Sequence, residues 1–444
     1  MTPGSGTRRP RERHVRESPV TQHADPAPGA APPPAPEGRP GPRARRLRVV
    51  PTREDHTVTT LELFFDLVFV FAITQVTAFM ADDVDPRGLL RGLVLISLLW
   101  WAWCSFAWLG NQARADEGVV RAGMLVAMAA LFLVALAIPE AWGDLGGGLS
   151  APVVLAVGIA VVRLGHLAVY LVAAGEDLAL RRQLLRTGIP VSAAAALLVA
   201  GALAGGAAQT ALWATALVVD YVGVYVTATD WRLPAPAHFA ERHGLIMIIA
   251  LGESMIAVGV GVLDLPLTVP IAAMAVLGLG VTVALWWAYF DVVAPVAERV
   301  LVRSPAAARA TLARDSYTYL HFPMIVGVIY LALGMKKVAE YVGDNEHYAL
   351  TDPLPATPLW ALYGGVALYL LGHLGFRLRN VGTVSRPRTV AVVVLLLAPL
   401  GVQFVPALAA LAVLAGLLGV LVGYEVVHYR DARARVRAEA AAHH

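Results

Sequence analysis

The sequence predicts an all-α fold, a polytopic integral membrane protein of about twelve spans, on three observations. Of the 444 residues, 57% are hydrophobic and 15% charged, with a mean hydropathy of +0.63, a composition typical of membrane proteins. Apolar runs recur along the chain, each close to the roughly 20 residues that cover a hydrocarbon core of about 30 Å at 1.5 Å rise per residue. The basic residues fall in alternate connections between those runs, the asymmetry that orients spans in a bilayer.

Taken in order, residues 1–55 form a Pro-, Ala- and Arg-rich tail with eleven arginines from Arg8 to Arg53. Having almost nothing to bury, it is expected to be disordered, and without a continuous apolar stretch it is not a cleaved signal peptide. Twelve spans are then predicted at 61–80, 88–109, 119–138, 152–174, 188–207, 211–229, 243–263, 269–290, 318–339, 359–377, 388–404 and 406–428. Only Pro399 to Pro406 separates the last two, and prolines so placed break or kink a helix. Residues 431–444 form a second basic tail. With the N-terminus inside, 30 of the 35 basic residues lie on the cytoplasmic side. Arg87, Arg91, Lys336 and Lys337 lie outside, and Arg163 falls within a span. Both termini are therefore expected in the cytoplasm, and the protein in the cell membrane.

The chain repeats itself. LLWWAWCSF (Leu98 to Phe106) in the second span matches ALWWAYFDV (Ala284 to Val292) in the eighth, and LGHLAVYL (Leu164 to Leu171) in the fourth matches LGHLGFRL (Leu371 to Leu378) in the tenth. Each pair lies six spans apart, so two parallel six-helix repeats are predicted, at 56–230 and 231–430.

Ionisable groups inside spans are costly and mark function by default. Glu62 and Asp66 open the first span at i and i+4, on one helix face. Arg163, Asp220 and Glu253 fall near mid-bilayer by their distance from the segment ends, and His166 and His373 lie in the cytoplasmic third. Arg163 and Asp220 match in depth and are predicted to form a structural ion pair. One buried arginine against four buried acids leaves an acidic surplus, which suits a cation or proton route through Glu62, Asp66, His166, Asp220, Glu253 and His373.

Enzyme signatures are absent: no GxSxG, no HExxH and no P-loop. No catalytic residue and no cofactor is predicted. The single cysteine, Cys104, allows neither an intrachain disulfide nor a cysteine metal site. His238, Glu241 and His243 form H-x-x-E-x-H, a spacing that does not put both imidazoles on one face, so no metal is expected. The expected partners are the lipid bilayer and an ion or small solute, with a homo-oligomer as a further option and no nucleic acid.

Four blocks carry a resemblance: ELFFDLVFVFAITQVT, HFAERHGLIMIIALGES, LWWAYFD and YTYLHFPMIVGV. In this order they resemble the bacterial low temperature requirement A proteins, over roughly Arg53 to Tyr429. The resemblance implies a multi-pass bacterial membrane protein and, by the family's name, a cold-growth phenotype, but no particular reaction. FFDLVFVFAIT is also similar to the first-helix motif of FSD-type potassium channels of bacteria and lysosomes, whose first helices line the pore. Phe65 stands where that motif has serine, and the seventh span lacks the motif. A transporter is the leading expectation, with a cation channel, or a membrane enzyme or non-transporting stress protein, as alternatives.

Overall fold

The computed structural model describes Thr52, residues 56–143, 148–227, 231–263, 265–344, 346–430 and Ala434. The two basic tails predicted from the sequence lie almost entirely outside these residues. The described residues are helical, with connections that are mostly short and no strand among them. The long helices are α1 Thr60–Asp82, α2 Pro86–Gln112, α3 Gly118–Ala137, α4 Ala151–Ala173, α5 Leu178–Ala204, α6 Gly206–Thr227, α7 Pro236–Val260 and α8 Val269–Phe290. Two short helices follow, α9 Val293–Arg303 and α10 Ala306–Ala313, and then a π-helical stretch, Arg314–Tyr319. The chain closes with α11 His321–Gly343, α12 Ala356–Val381, α13 Arg386–Val402 and α14 Ala407–His428.

Eleven helical segments among the described residues are long and apolar enough to cross a membrane. The remaining predicted span is α13, whose 17 residues cover about 25 Å at 1.5 Å per residue. The Pro399–Pro406 stretch does divide two helices, with Pro399 in the last turn of α13 and Pro406 capping α14.

Local chemistry sets the helix ends. A capping box starts α1: Glu62 N–H donates to Thr59 Oγ1 at 3.3 Å while Thr59 N–H donates to Glu62 Oε2 at 2.9 Å. Asp85 caps α2 through Gly88 N–H at 2.6 Å, with Pro86 in the first turn. Asp177 caps α5 in the same way. Gly382, at φ 73°, ends α12 in the left-handed region that glycine enters without penalty.

Three boundaries differ from the hydropathy reading. Helix α5 starts about ten residues before its predicted span and carries Arg181, Arg182 and Arg186 on its first turns. Helix α7 starts seven residues early and takes His238, Glu241 and Arg242 into the helix. The loop predicted between the eighth and ninth spans folds into α9 and α10. In α9 the buried residues Val293, Ala297 and Leu301 repeat every four positions, an amphipathic stripe too short to read as a span.

Helix α2 is the central post: 94% of its most apolar 18-residue window is buried, against 17% for α6. The most extensive helix–helix contact joins α11 to α12. A Cβ on Gly327 would stand 2.5 Å from the Gly365 carbonyl oxygen, and one on Gly365 would stand 2.6 Å from that of Gly327. Only glycine at both positions allows this approach, the small-residue packing that joins helices where lipid supplies no hydrophobic drive.

Candidate functional site

Three arginines are buried among the described residues, and each meets a carboxylate. The first cluster joins α1 to α7. Arg242 Nη1 lies 2.9 Å from Glu62 Oε1, and Nη2 donates to Asp66 Oδ1 at 2.7 Å. His238, one turn earlier on α7, places Nε2 3.1 Å from Glu62 Oε1. From α2, Trp103 Nε1–H donates to Asp66 Oδ1 at 2.8 Å, and its ring lies beneath the Arg242 guanidinium at 5.5 Å. Gly110 makes room for Glu62, since a Cβ there would stand 2.6 Å from Oε1. All of these side chains are buried, and Glu62, His238 and Arg242 have no accessible surface.

The second cluster joins α4 to α6. Arg163 holds Asp220 through both carboxylate oxygens, Nε to Oδ2 at 2.9 Å and Nη2 to Oδ1 at 2.6 Å. Its Nη1 donates to Ser105 Oγ of α2. The third joins α12, α13 and α14: Arg388 bonds both Glu425 oxygens at 2.7 and 2.8 Å, and its Nη1 stands 2.8 Å from His373 Nε2.

These pairings revise the expected charge balance. Arg242 and Arg388 fall just outside or at the very edge of the predicted spans and read from the sequence as basic residues of the cytoplasmic connections, yet both are buried and paired. The acidic surplus argued from a single buried arginine is therefore smaller. Glu253, matched with no basic residue in the sequence, accepts a hydrogen bond from Thr74 Oγ1 of α1 at 2.6 Å.

The first cluster keeps two carboxylates against one guanidinium. A further positive charge, a proton or a cation, would balance it. His56, Glu62 and His238 place ligand-type atoms within 4.8 Å of one another, so these three could hold a cation. Glu62 Oε2, however, already accepts from Thr59 N–H and Oγ1. The H-x-x-E-x-H residues go separate ways: Glu241 accepts from Val58 N–H at 3.3 Å, and His243 Nδ1 stands 2.8 Å from the Phe239 carbonyl.

One of the buried arginines borders open space. A cavity of about 300 Å³ lies between α2, α4, α5, α6, α10 and the π-helical stretch. Its inner end reaches Arg163, Ser105 and Trp101, near the middle of the 23-residue α4. Its other end is framed by Thr187 of α5, Tyr225 of α6, Trp231 and Arg314. All four lie toward the side where α5 begins and α6 ends. Single-turn π segments often occur at functional sites. Here Arg314, Thr318 and Tyr319 of that stretch line the wall. Beyond Trp101 and Arg163 a second, far smaller void of about 10 Å³ touches Asp220.

Of the predicted site residues, the structure brings His166 and Asp220 together around this space, His166 in the wall and Asp220 behind Arg163. Glu62 and Asp66 join each other in the sealed cluster. Glu253 and His373 sit apart from both. Sequence reasoning missed Arg242, set His238 aside with its H-x-x-E-x-H motif, and missed Trp103 and the aromatic wall of Trp108, Trp231, Tyr225 and Tyr319. A signal existed for the first two: His238 and Arg242 share the i, i+4 spacing of Glu62 and Asp66, so the two helix faces match rung for rung.

Helices of this length and apolarity, packed through buried ion pairs, define a multi-pass membrane protein. The family of bacterial low temperature requirement A proteins (LtrA) matches residues 57–423, and the chain belongs to it. It is 27% identical over 328 residues to an uncharacterized protein of Rhizobium meliloti (strain 1021), covering 70% of this chain and 75% of that one. No solved structure matches.

Proposed function

We propose that this protein is a transporter of a small organic solute in the bacterial cell membrane, with both termini in the cytoplasm. The observation that carries the reading is the cavity of about 300 Å³ running from one end of the bundle to the Arg163–Asp220 pair. Pockets of about this volume and above hold small organic ligands. A cavity that reaches mid-depth from one side of the bundle is what an alternating-access carrier presents in one of its states. Arginine-rich connections lie on the side of Thr187, Tyr225 and Arg314, so that side faces the cytoplasm by the positive-inside rule. The burial of Asp66 beneath Arg242 and Trp103 weighs against a channel in which the first helix lines the pore.

Two measurements test this. In a Cys104→Ser background, Leu149→Cys should react with an impermeant maleimide from outside the cell, and Arg182→Cys from inside only. The reverse pattern overturns the orientation. In proteoliposomes, uptake of a solute panel should yield saturable flux that stops when Thr311→Cys in the cavity wall is modified from the cytoplasmic side. Non-saturating ion current would instead indicate a channel.

A further inference from the structure

From the lining of this cavity we infer that its ligand is an amphipathic organic monoanion, a single carboxylate or similar acid on an aromatic or broad apolar body. The inference deepens the transport reading and rests on it only for the choice of site.

Apart from Cys104 and the tyrosines, the ionisable side chains in the wall are basic. Arg163, Arg314 and His166 line it, and no Asp or Glu does among the described residues. The carboxylates that balance the two arginines stand off the lining. Asp220 grips the Nε–Nη2 edge of Arg163, and Asp315 grips that of Arg314, with Nε at 3.0 Å and Nη2 at 2.9 Å. A ligand in the cavity thus meets guanidinium groups before it meets carboxylates. A cation would face these groups with no acid in the wall to hold it. An anion is favoured by both, and more so in a space with low-dielectric walls. Arg163 already holds one acid and Arg314 shares Asp315 with Arg379 at 3.2 Å, so the unspent positive charge is limited, which suits one negative charge rather than two or three.

The rest of the wall sets the body of the ligand. Trp101, Trp108, Trp231, Tyr225 and Tyr319 surround the space, and aromatic walls of this density favour flat or broad apolar groups. Arg181, Arg182 and Arg186 near the start of α5 and Arg232 beside Trp231, the last paired with Asp177 at 3.2 Å, lie on the same side of the bundle and add a positive field that would concentrate anions there.

The test uses the purified full-length protein in lipid nanodiscs and three probes of one shape: 2-naphthoate, 2-naphthamide and (2-naphthylmethyl)trimethylammonium. Titration calorimetry on the unmodified protein should give saturable naphthoate binding about tenfold tighter than naphthamide, the worth of one charge-assisted hydrogen bond. The ammonium probe should bind weakest. Arg314→Gln, at the mouth and away from the buried Arg163 pair, should bring naphthoate to within about threefold of naphthamide. Ala310→Trp should fill the cavity and remove binding of all three. The inference is overturned if naphthamide or the ammonium binds as tightly as naphthoate, if no probe saturates, or if Arg314→Gln leaves the preference intact. The site reading and the transport reading fail separately. Naphthoate that binds without entering proteoliposomes keeps the ligand class and sinks transport, whereas saturable uptake of other solutes that naphthoate does not inhibit sinks the class alone.

Discussion

Arg242 and Arg163 invite comparison, because each is a buried arginine bonded to a carboxylate of another helix and set over an indole ring, Trp103 at 5.5 Å and Trp101 at 5.6 Å, yet they differ in access. Arg242 is sealed: it has no accessible surface and two acids share it. Arg163 has a single acid, and one edge of it faces a cavity that a solute could enter. Burial and pairing are common to both, so neither property alone marks a functional site. What separates them is access. The Arg242 cluster is a clasp between α1 and α7, and the Arg163 pair is the floor of the cavity.

The largest effect should come from breaking the clasp. Arg242→Leu strands Glu62 and Asp66 together, where removal of one partner from a buried pair already costs about 3–5 kcal/mol. Little or no folded protein should be recovered by fluorescence-detected size-exclusion chromatography. Recovery of Arg242→Leu at normal yield and melting temperature would erase the distinction between the two arginines.

The next effect tests the floor. Arg163→Leu and Asp220→Leu should each lower detergent melting temperature, by less than Arg242→Leu, because one acid rather than two loses its partner and the cavity admits water. The double substitution should regain much of the loss, since replacing both members of a buried pair is often close to neutral. Full additivity in that cycle would mean that the contact contributes nothing, and coupling of Arg163 to Glu253 instead would contradict the geometry.

These two cases also explain what could be read in the sequence. Eleven of the twelve predicted spans were legible as such among the described residues, because hydropathy over about 20 residues reports the bilayer directly, and the twelfth, α13, is a shorter helix. Arg163 and Asp220 were legible as a depth-matched pair for the same reason, since both stand alone inside apolar runs. Arg242 was not. A hydropathy window ends a span where charges begin, and only the partner helix reveals that Arg242 is buried among acids. The cavity was illegible because its wall gathers Trp101, Trp231, Tyr225 and Arg314 from four parts of the chain, and no local pattern encodes that meeting. The short helices α9 and α10 were hidden in a connection whose arginines dominated its reading.

A smaller effect sharpens the clasp from its third side. Trp103→Phe keeps the ring under Arg242 but removes the N–H that donates to Asp66, leaving that oxygen with Arg242 only. Loss of one hydrogen bond to a charged group costs about 1.5–3 kcal/mol, visible as a few degrees of melting temperature. The matching change beside the cavity, Ser105→Ala, should cost less, because water in the cavity can take the place of the hydroxyl. Equal losses at the two positions would indicate that the cavity is dry.

The smallest effect comes from an ion pair outside the spans, which shows what pairing is worth when water reaches both partners. His347 Nδ1 stands 2.8 Å from Asp344 Oδ2, with the imidazole 72% exposed. The hydrogen bond to Asp344 and that acid's charge raise the His347 pKa above its ordinary 6.5. The hydrogen bond from His347 likewise holds the Asp344 carboxyl below 3.8. A raised histidine pKa gives stability that is complete below 6.5 and fades as pH rises through the higher folded value. A lowered carboxyl pKa gives stability that is complete above 3.8 and fades as pH falls through the lower folded value. The pair is therefore worth most between pH 3.8 and 6.5 and vanishes on the alkaline side. His347→Gln should lower the melting temperature slightly at pH 6 and not at pH 8.5, and 1 M salt should screen most of the difference. A loss at pH 8.5 as large as at pH 6 would mean that His347 acts through packing rather than charge, and the contrast between exposed and buried pairs would need another cause.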